Sequence, residues 1–430
     1  MRSVRIGNGC GFWGDSPDAP VRLAEAGHLD YLTLEYLAEL TMSILALLKR
    51  RDPSAGYATD FTDLLPRLRP ILDAQQNLKI VTNAGGMNPI ACGRKTAELL
   101  PDRRVAVVSG DDLMPRLDEL LACGHELNNL DTGEPLAMVR DRVVSANAYL
   151  GSAPIAEALR GGANVVVTGR VADACLTVGP LLHEFGWGSD DHLAAGTVAG
   201  HLIECGAQAT GGLWTNASDA TNLAEVGYPF VDVRADGTFT ISKPDGTGGA
   251  VNFETISEQL LYEVGDPARY VTPDVVADFT SVQLRQTSRD IVEVSGCRGR
   301  PATDSYKVSL AYRDGFASAG TLVLAGPHAR ANAERSGRII LDRLDRAGFR
   351  FDHSLVEVIG EGMEVTLRVA VRDARKPAVE RFTKEFAPLV TSGYAGTTGY
   401  TTGRAAVREV FAYWPALIAK SAVTPIVAMV

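Results

Sequence analysis

His201, Glu204 and Cys205 fall at i, i+3 and i+4 of one helical pattern, HLAAGTVAGHLIECG, and so share a face. An imidazole beside a carboxylate is what general acid–base chemistry near neutral pH requires. The same pair also suits a structural role, closing a core helix. HxxEC is not a familiar zinc spacing, and no metal is expected. Upstream, Arg170 and Asp173 follow the apolar run NVVVTG at the start of a helix. Arg170 offers a fixed fork of donors for a carboxylate or phosphate. Asp173 reads either as a base or as an acid favoured by the helix N-terminus. Glu35 ends YLTLE, where it is a second carboxylate candidate or an ordinary first-turn acid.

Polar, glycine-rich turns recur at strand ends: Gly7-Asn8-Gly9, Asn83-Ala84-Gly85-Gly86, Ser109-Gly110-Asp111-Asp112 and Thr168-Gly169-Arg170. In an open parallel sheet, ligands bind at the carboxyl ends of the strands. If the four turns belong to one sheet they face one crevice, with Asn8, Asn83, Gly85, Gly86 and Arg170 as substrate contacts. Backbone N–H groups at Asn83–Gly86 and Gly169 are then candidate donors for a developing oxyanion. Two further stretches, KPDGTGG (243–249) with Gly248 and SGYAGTTGYTTGR (392–404) with Arg404, could cradle an anion or be plain turns. None of the four turns matches GxGxxG or a P-loop, and Gly7-Asn8-Gly9-Cys10-Gly11, which resembles half of a GxGxxG, is a weak signal alone, so nucleotide and dehydrogenase readings have little support. GxSxG and HExxH are missing, which disfavours serine-hydrolase and zincin readings.

The elements that must hold these residues follow from periodicity. Residues 4–9 read as a strand and 31–50 as a strand turning into a helix, with Leu37, Leu40, Ile44 and Leu48 on one face. Residues 78–89, 104–124 and 152–170 repeat strands, glycine turns and helices, so the N-terminal half reads as α/β with a mostly parallel sheet and flanking helices. Beyond 212 the texture changes. Asp236-Gly237 marks a hairpin, and 275–301 and 305–326 alternate as antiparallel strands do. A helix is expected over roughly 327–347 and a helix-like apolar tail at the end. The expectation is an α/β domain over 1–212 and an α+β domain over 213–430, without internal repeats.

The chain has 430 residues, 46% hydrophobic and 22% charged, with a net charge of −10, and no basic cluster that would attract nucleic acid or an anionic membrane. No apolar run approaches the ~20 residues that span a bilayer, and the N-terminus lacks a signal-peptide core. Six scattered cysteines form no CxxC pair. A reduced, cytoplasmic protein is expected.

Six blocks carry a resemblance: IGNGCGFWGDS, DYLTLEYLAELTMSIL, VTNAGGMNP, GSAPIAEALRGGANVVVTGRVADACLTVGPLLHEFGW, LAAGTVAGHLIECGAQATGG and KPDGTGGAVNFETISEQLLYEVGDPARY. Together they resemble the acyclic terpene utilisation (AtuA) family, from about residue 3 to 420. The resemblance implies a place in the breakdown of acyclic terpenes and other branched acids as CoA thioesters. It implies no proven catalytic residues. Many relatives continue into a small ferredoxin-like C-terminal domain, which would make a separate small partner subunit, and a homo- or hetero-oligomer, the expectation here. The resulting expectation is a hydratase or dehydratase of a branched acyl-CoA, without a cofactor beyond the CoA of its substrate. Asp173, His201, Glu204 and Glu35 would move protons. The rivals are a non-catalytic acyl-CoA-binding subunit and an isomerase or hydrolase of a free carboxylic acid.

Overall fold

The computed structural model describes residues 2–217, 222–400 and 403–430. The chain begins β1 (Ser3–Asn8), α1 (Ala19–Ala26), β2 (Tyr31–Leu34), α2 (Glu39–Arg51), α3 (Thr59–Ala74), β3 (Lys79–Thr82), α4 (Pro89–Leu99) and β4 (Val105–Ser109). It continues through α5 (Leu117–Ala122), β5 (Val143–Ala148), α6 (Ala153–Arg160), β6 (Val165–Thr168), α7 (Cys175–Phe185) and α8 (Asp190–Glu204). Next come β7 (Phe230–Arg234), β8 (Phe239–Ser242), α9 (Phe253–Leu261), β9 (Tyr270–Val271), β10 (Val275–Asp278), β11 (Gln283–Ser288), β12 (Ile291–Ser295) and β13 (Arg298–Pro301). The last are β14 (Ser305–Ala325), α10 (Ala329–Arg346), β15 (His353–Ile359), β16 (Glu364–Asp373), α11 (Lys376–Phe382), α12 (Leu389–Ser392), β17 (Thr397–Thr398), β18 (Arg408–Ala419) and β19 (Ile426–Met429).

A mixed sheet of ten strands, in the order β11-β12-β8-β7-β1-β2-β3-β6-β4-β19, organises the first of two compact units. Its centre, β1-β2-β3-β6-β4, is parallel throughout. Every residue of β2 and of β6 is buried, as their unbroken apolar runs demand of strands covered on both faces. Antiparallel strands extend both edges: β7, β8, β12 and β11 beyond β1, and β19 beyond β4. Five parallel neighbours put their carboxyl ends along one edge of the sheet. Asn8 ends β1, and Glu35, Asn83, Asp111 and Arg170 stand within two residues of the ends of β2, β3, β4 and β6, so the topology gathers residues that are far apart in sequence.

The first unit comprises Met1–Met138, Val144–Ala311 and Tyr413–Val430; the second comprises Val139–Val143 and Tyr312–Ala412. Beyond residue 212, β7, β8, β11 and β12 join the large sheet rather than founding a sheet of their own. The contact boundary therefore does not fall at 212. In the second unit β15, β16 and the later part of β14 pair antiparallel, with Phe316 opposite Asp373 and Ala325 opposite Glu364. That unit has its own core, including Leu322, Ile340, Leu367, Phe382 and Phe386. The last two rings meet edge to face at 5.2 Å, a favoured geometry.

Two local expectations are corrected. α2 buries Met42, Ser43, Leu45 and Ala46, whereas Leu40 is 65% exposed. The helix begins only at Glu39, so the face taken from Leu37, Leu40 and Ile44 began counting before the helix did. The apolar tail forms β18 and β19 rather than a helix, because both find strand partners. The Asp236-Gly237 hairpin and the 327–347 helix are observed, as β7–β8 and α10. Among the described residues no helix is long and apolar enough to cross a membrane.

Candidate active site

Gly200 lets α8 approach the chain following β6 very closely: a Cβ there would stand 2.7 Å from the Ala174 backbone. At the carboxyl end of α8, Asn8 donates from Nδ2 to the carbonyls of Ile203 and Glu204, both at 2.8 Å. These contacts satisfy orphan carbonyls of the helix end. Asn8 thereby fixes the backbone that carries Glu204.

His201 packs against the rings of Tyr270 and Phe279, 5.5 and 5.2 Å away, which themselves stack at 4.6 Å. Its Nε2 is 3.0 Å from the Gln259 carbonyl oxygen, which can only accept, so Nε2 carries a proton. Its Nδ1 is 3.2 Å from Glu204 Oε1. A single further proton therefore serves both groups, on the imidazole or on the carboxyl. Burial works against charge on His201, but Glu204 outweighs it and raises the imidazole above its ordinary value. Burial pushes the Glu204 carboxyl up to about 7, with His201 pulling the other way. Glu204 Oε2 is buried without a partner. Burial, then the Glu204 charge, raises the Cys205 thiol and so disfavours its thiolate.

Arg170 is 1% exposed. Its Nη1 donates to Asp173 Oδ1 at 2.7 Å and to the Leu37 carbonyl at 3.0 Å, and lies 3.9 Å from Glu35 Oε1. The guanidinium stacks on Tyr149, 4.1 Å from its ring centre, and its Nε has no partner. Burial opposes its charge, but Asp173, Tyr149 and Glu35 together hold it firmly protonated. Its backbone N–H is anchored by Asp111, whose carboxyl also accepts from Asn147 and is pushed up to about 6 by burial. Glu35 accepts from the Leu37 backbone N–H at 2.9 Å and from Asn83 Nδ2. Burial first, then the Asp173 charge, lifts Glu35 well above the carboxylate range, and its Oε2 is unpartnered. Burial likewise raises Asp173 against the pull of Arg170.

These groups meet at a cleft of about 470 Å³ lined by Glu35, Arg170, Asp173 and Glu204. A neighbouring cavity of about 250 Å³ shares Glu39, Asp173, Glu204 and Glu263 with it. His201 lines only the smaller space. Asn83 acts through Glu35, and its Oδ1 accepts from the Tyr36 backbone N–H at 2.8 Å. Gly85 and Gly86 serve packing and a turn. A Cβ on Gly85 would come within 2.5 Å of the Thr168 carbonyl oxygen, and the Gly86 N–H closes onto Asn83. The Gly169 N–H bonds the Val108 carbonyl, so neither it nor that of Gly86 is free for an oxyanion.

Gly248 lies in a separate pocket beside Lys243 and Asp290, its N–H taken by the Glu225 carbonyl. Arg404 is exposed and belongs to the second unit; residues 401–402 of its stretch lie outside the described residues. Sequence reasoning missed Glu39, Glu263 and Tyr149. Tyr149 donates its hydroxyl to Glu39 at 2.7 Å. Glu39 is the first residue of α2, and its nearness in sequence to Glu35 was the available signal. Among the described residues no cluster of His, Cys, Asp or Glu is arranged to hold a metal ion.

The family model described as acyclic terpene utilisation family protein AtuA matches residues 4–429. The chain belongs to the AtuA family. No curated protein matches it. In this AtuA-family chain the blocks that carry the likeness also build the cleft: DYLTLEYLAEL supplies Glu35 and Glu39, VVVTGRVAD supplies Arg170 and Asp173, and GHLIECG supplies His201 and Glu204.

Proposed function

We propose that this AtuA-family protein is an acid–base lyase, adding water to or removing it from a branched acyl group carried as a thioester such as acyl-CoA. One observation carries the reading: Glu35, Glu204 and Arg170 line the same cleft, and each holds a buried polar atom without a partner, Oε2 of the two carboxyls and Nε of the guanidinium. Burial lifts both carboxyls, Glu204 to about 7 and Glu35 well above the carboxylate range, and raised carboxyls in distinct surroundings are a usual basis for dividing acid and base roles. Glu204, poised near neutrality, takes a proton from water as the water oxygen bonds to Cβ of an enoyl thioester. Glu35, kept protonated by burial, delivers a proton to Cα. The thioester oxygen, negative in the enolate between these steps, accepts from Arg170 Nε. Dehydration is the reverse. His201 is a positioning residue that shares the Glu204 proton. The exposed apolar side chains of Phe12, Leu213 and Tyr262 at the cleft suit a branched hydrocarbon chain, in keeping with the family's name.

The test is purified protein with a branched enoyl thioester, followed by loss of enoyl absorbance. Glu204→Gln and Glu35→Gln are each expected to lower kcat by about 100-fold or more, the usual worth of a positioned acid or base. Unchanged rates in both variants would remove the proposal. Tight binding without turnover would favour instead an acyl-carrying subunit that hands its ligand to a partner.

A further inference from the structure

The large cleft carries an imbalance that proton transfer does not need. Among the described residues its lining includes six carboxyl groups, Asp15, Glu35, Glu39, Asp173, Glu204 and Glu263, against the single guanidinium of Arg170. If Glu35 and Glu204 both hold protons, four carboxylates still face one cation. Asp15 is held as an acceptor by the Gly11 backbone N–H at 2.8 Å and by the Tyr228 hydroxyl. Arg170 already has Asp173 at 2.7 Å and Glu35 at 3.9 Å, so its charge is opposed from within the protein. Lys307 lines the smaller cavity, where it is engaged by Glu39 at 3.5 Å and by the face of Tyr149. An acidic lining alone would say little. Here it surrounds a built site, because Glu35, 4% exposed, and Arg170, 1% exposed, line the cleft with one unpartnered polar atom each.

A neutral carbonyl or hydroxyl can use both atoms, accepting from Arg170 Nε and meeting Glu35 Oε2. A free carboxylate would bring a further negative charge into a partly dry space where like charges repel strongly. We infer that the cleft takes the reacting end of its substrate only as an uncharged thioester, ester or alcohol and excludes the free carboxylic acid, with Glu39 and Glu263 as the excluding charges. This rests on reading the cleft as the acyl site. Arg170 is thus not a carboxylate clamp, which sets aside the free-acid isomerase or hydrolase as well.

The test is titration calorimetry of the full chain at pH 8 with a branched enoic acid and with its N-acetylcysteamine thioester, which carries no charge. The thioester is expected to bind about 100-fold more tightly, the scale that like-charge repulsion gives. Glu263→Lys, a change at an exposed position, is expected to strengthen binding of the free acid about tenfold relative to the thioester. Equal affinities, or a preference for the free acid, overturn the inference, and so does failure of both ligands to bind. The lyase reading fails separately: a bound thioester that is never hydrated removes it and leaves the exclusion standing, whereas hydration of the free acid does the opposite.

Discussion

Glu204 and His201 hold one proton between them in a place where neither meets bulk water freely, and that arrangement has a consequence for stability. The Glu204 carboxyl, ordinarily near 4.5, sits at about 7 in the fold. With one proton shared, the unfolded chain still holds it on the imidazole below about 6.5. Above that the unfolded chain releases it while the folded pair, with His201 raised, keeps it, so stability falls as pH rises through and beyond 6.5. Glu204→Gln should flatten this slope and stabilise the protein at pH 8 relative to the parent, by an amount on the order of 1 kcal/mol. Thermal melts across pH 5 to 8 read it directly, and a parent curve that rises with pH over that range would contradict the protonation assigned to the pair. The pair itself was legible in the sequence, because i, i+3 spacing on a helix fixes proximity. Its orientation was not. That Nε2 is spent on the Gln259 carbonyl depends on α9, some sixty residues away, and no local pattern reports it.

The elements matter through how closely they approach. α8 can bring Glu204 up to the chain after Asp173 only because Gly200 presents no side chain to Ala174. Gly200→Ala puts a methyl 2.7 Å from that backbone, and α8 must slide or tilt. The expected cost is about 1–3 kcal/mol in stability, as for other overpacked contacts. A fall in kcat should accompany it, because Glu204 moves with the helix. Urea unfolding together with steady-state rates checks this; a variant that loses stability but keeps full kcat per folded molecule would show that the approach of α8 does not position the site. The parallel run of strands and its glycine turns could be read from the sequence, and with them the gathering of Glu35, Asn83 and Arg170 at one edge. The role of the turns could not. Gly85 and Gly86 looked like donors to a ligand, yet glycine marks close packing as readily as an open backbone, and here the neighbour is Thr168. In α2 the error came from counting the helix from Leu37 when it starts at Glu39.

At the scale of the whole molecule, every residue assigned to the site lies in the first compact unit, and the second unit closes around its own core. The change of texture after residue 212 was visible, but pairing across the sheet decides membership, and strands such as β7 find β1 from more than two hundred residues away. Long-range pairing of that kind leaves no mark in composition. A ligand that fills the cleft should slow amide exchange in the segments around Glu35–Glu39, Arg170–Asp173 and Glu204–Leu213. Exchange over the second unit's strands β15 and β16 should not change. Protection confined to the second unit would mean that the acyl group binds elsewhere.

The central claim, that the carboxyls of this cleft move the protons of water addition, is tested most directly by oxygen-18. A branched enoyl thioester incubated with the protein in labelled water should yield a hydroxyacyl product carrying one solvent oxygen at Cβ, and Glu204→Gln should abolish the label while still binding the thioester. Product without the label, or full labelling by the variant, would contradict it.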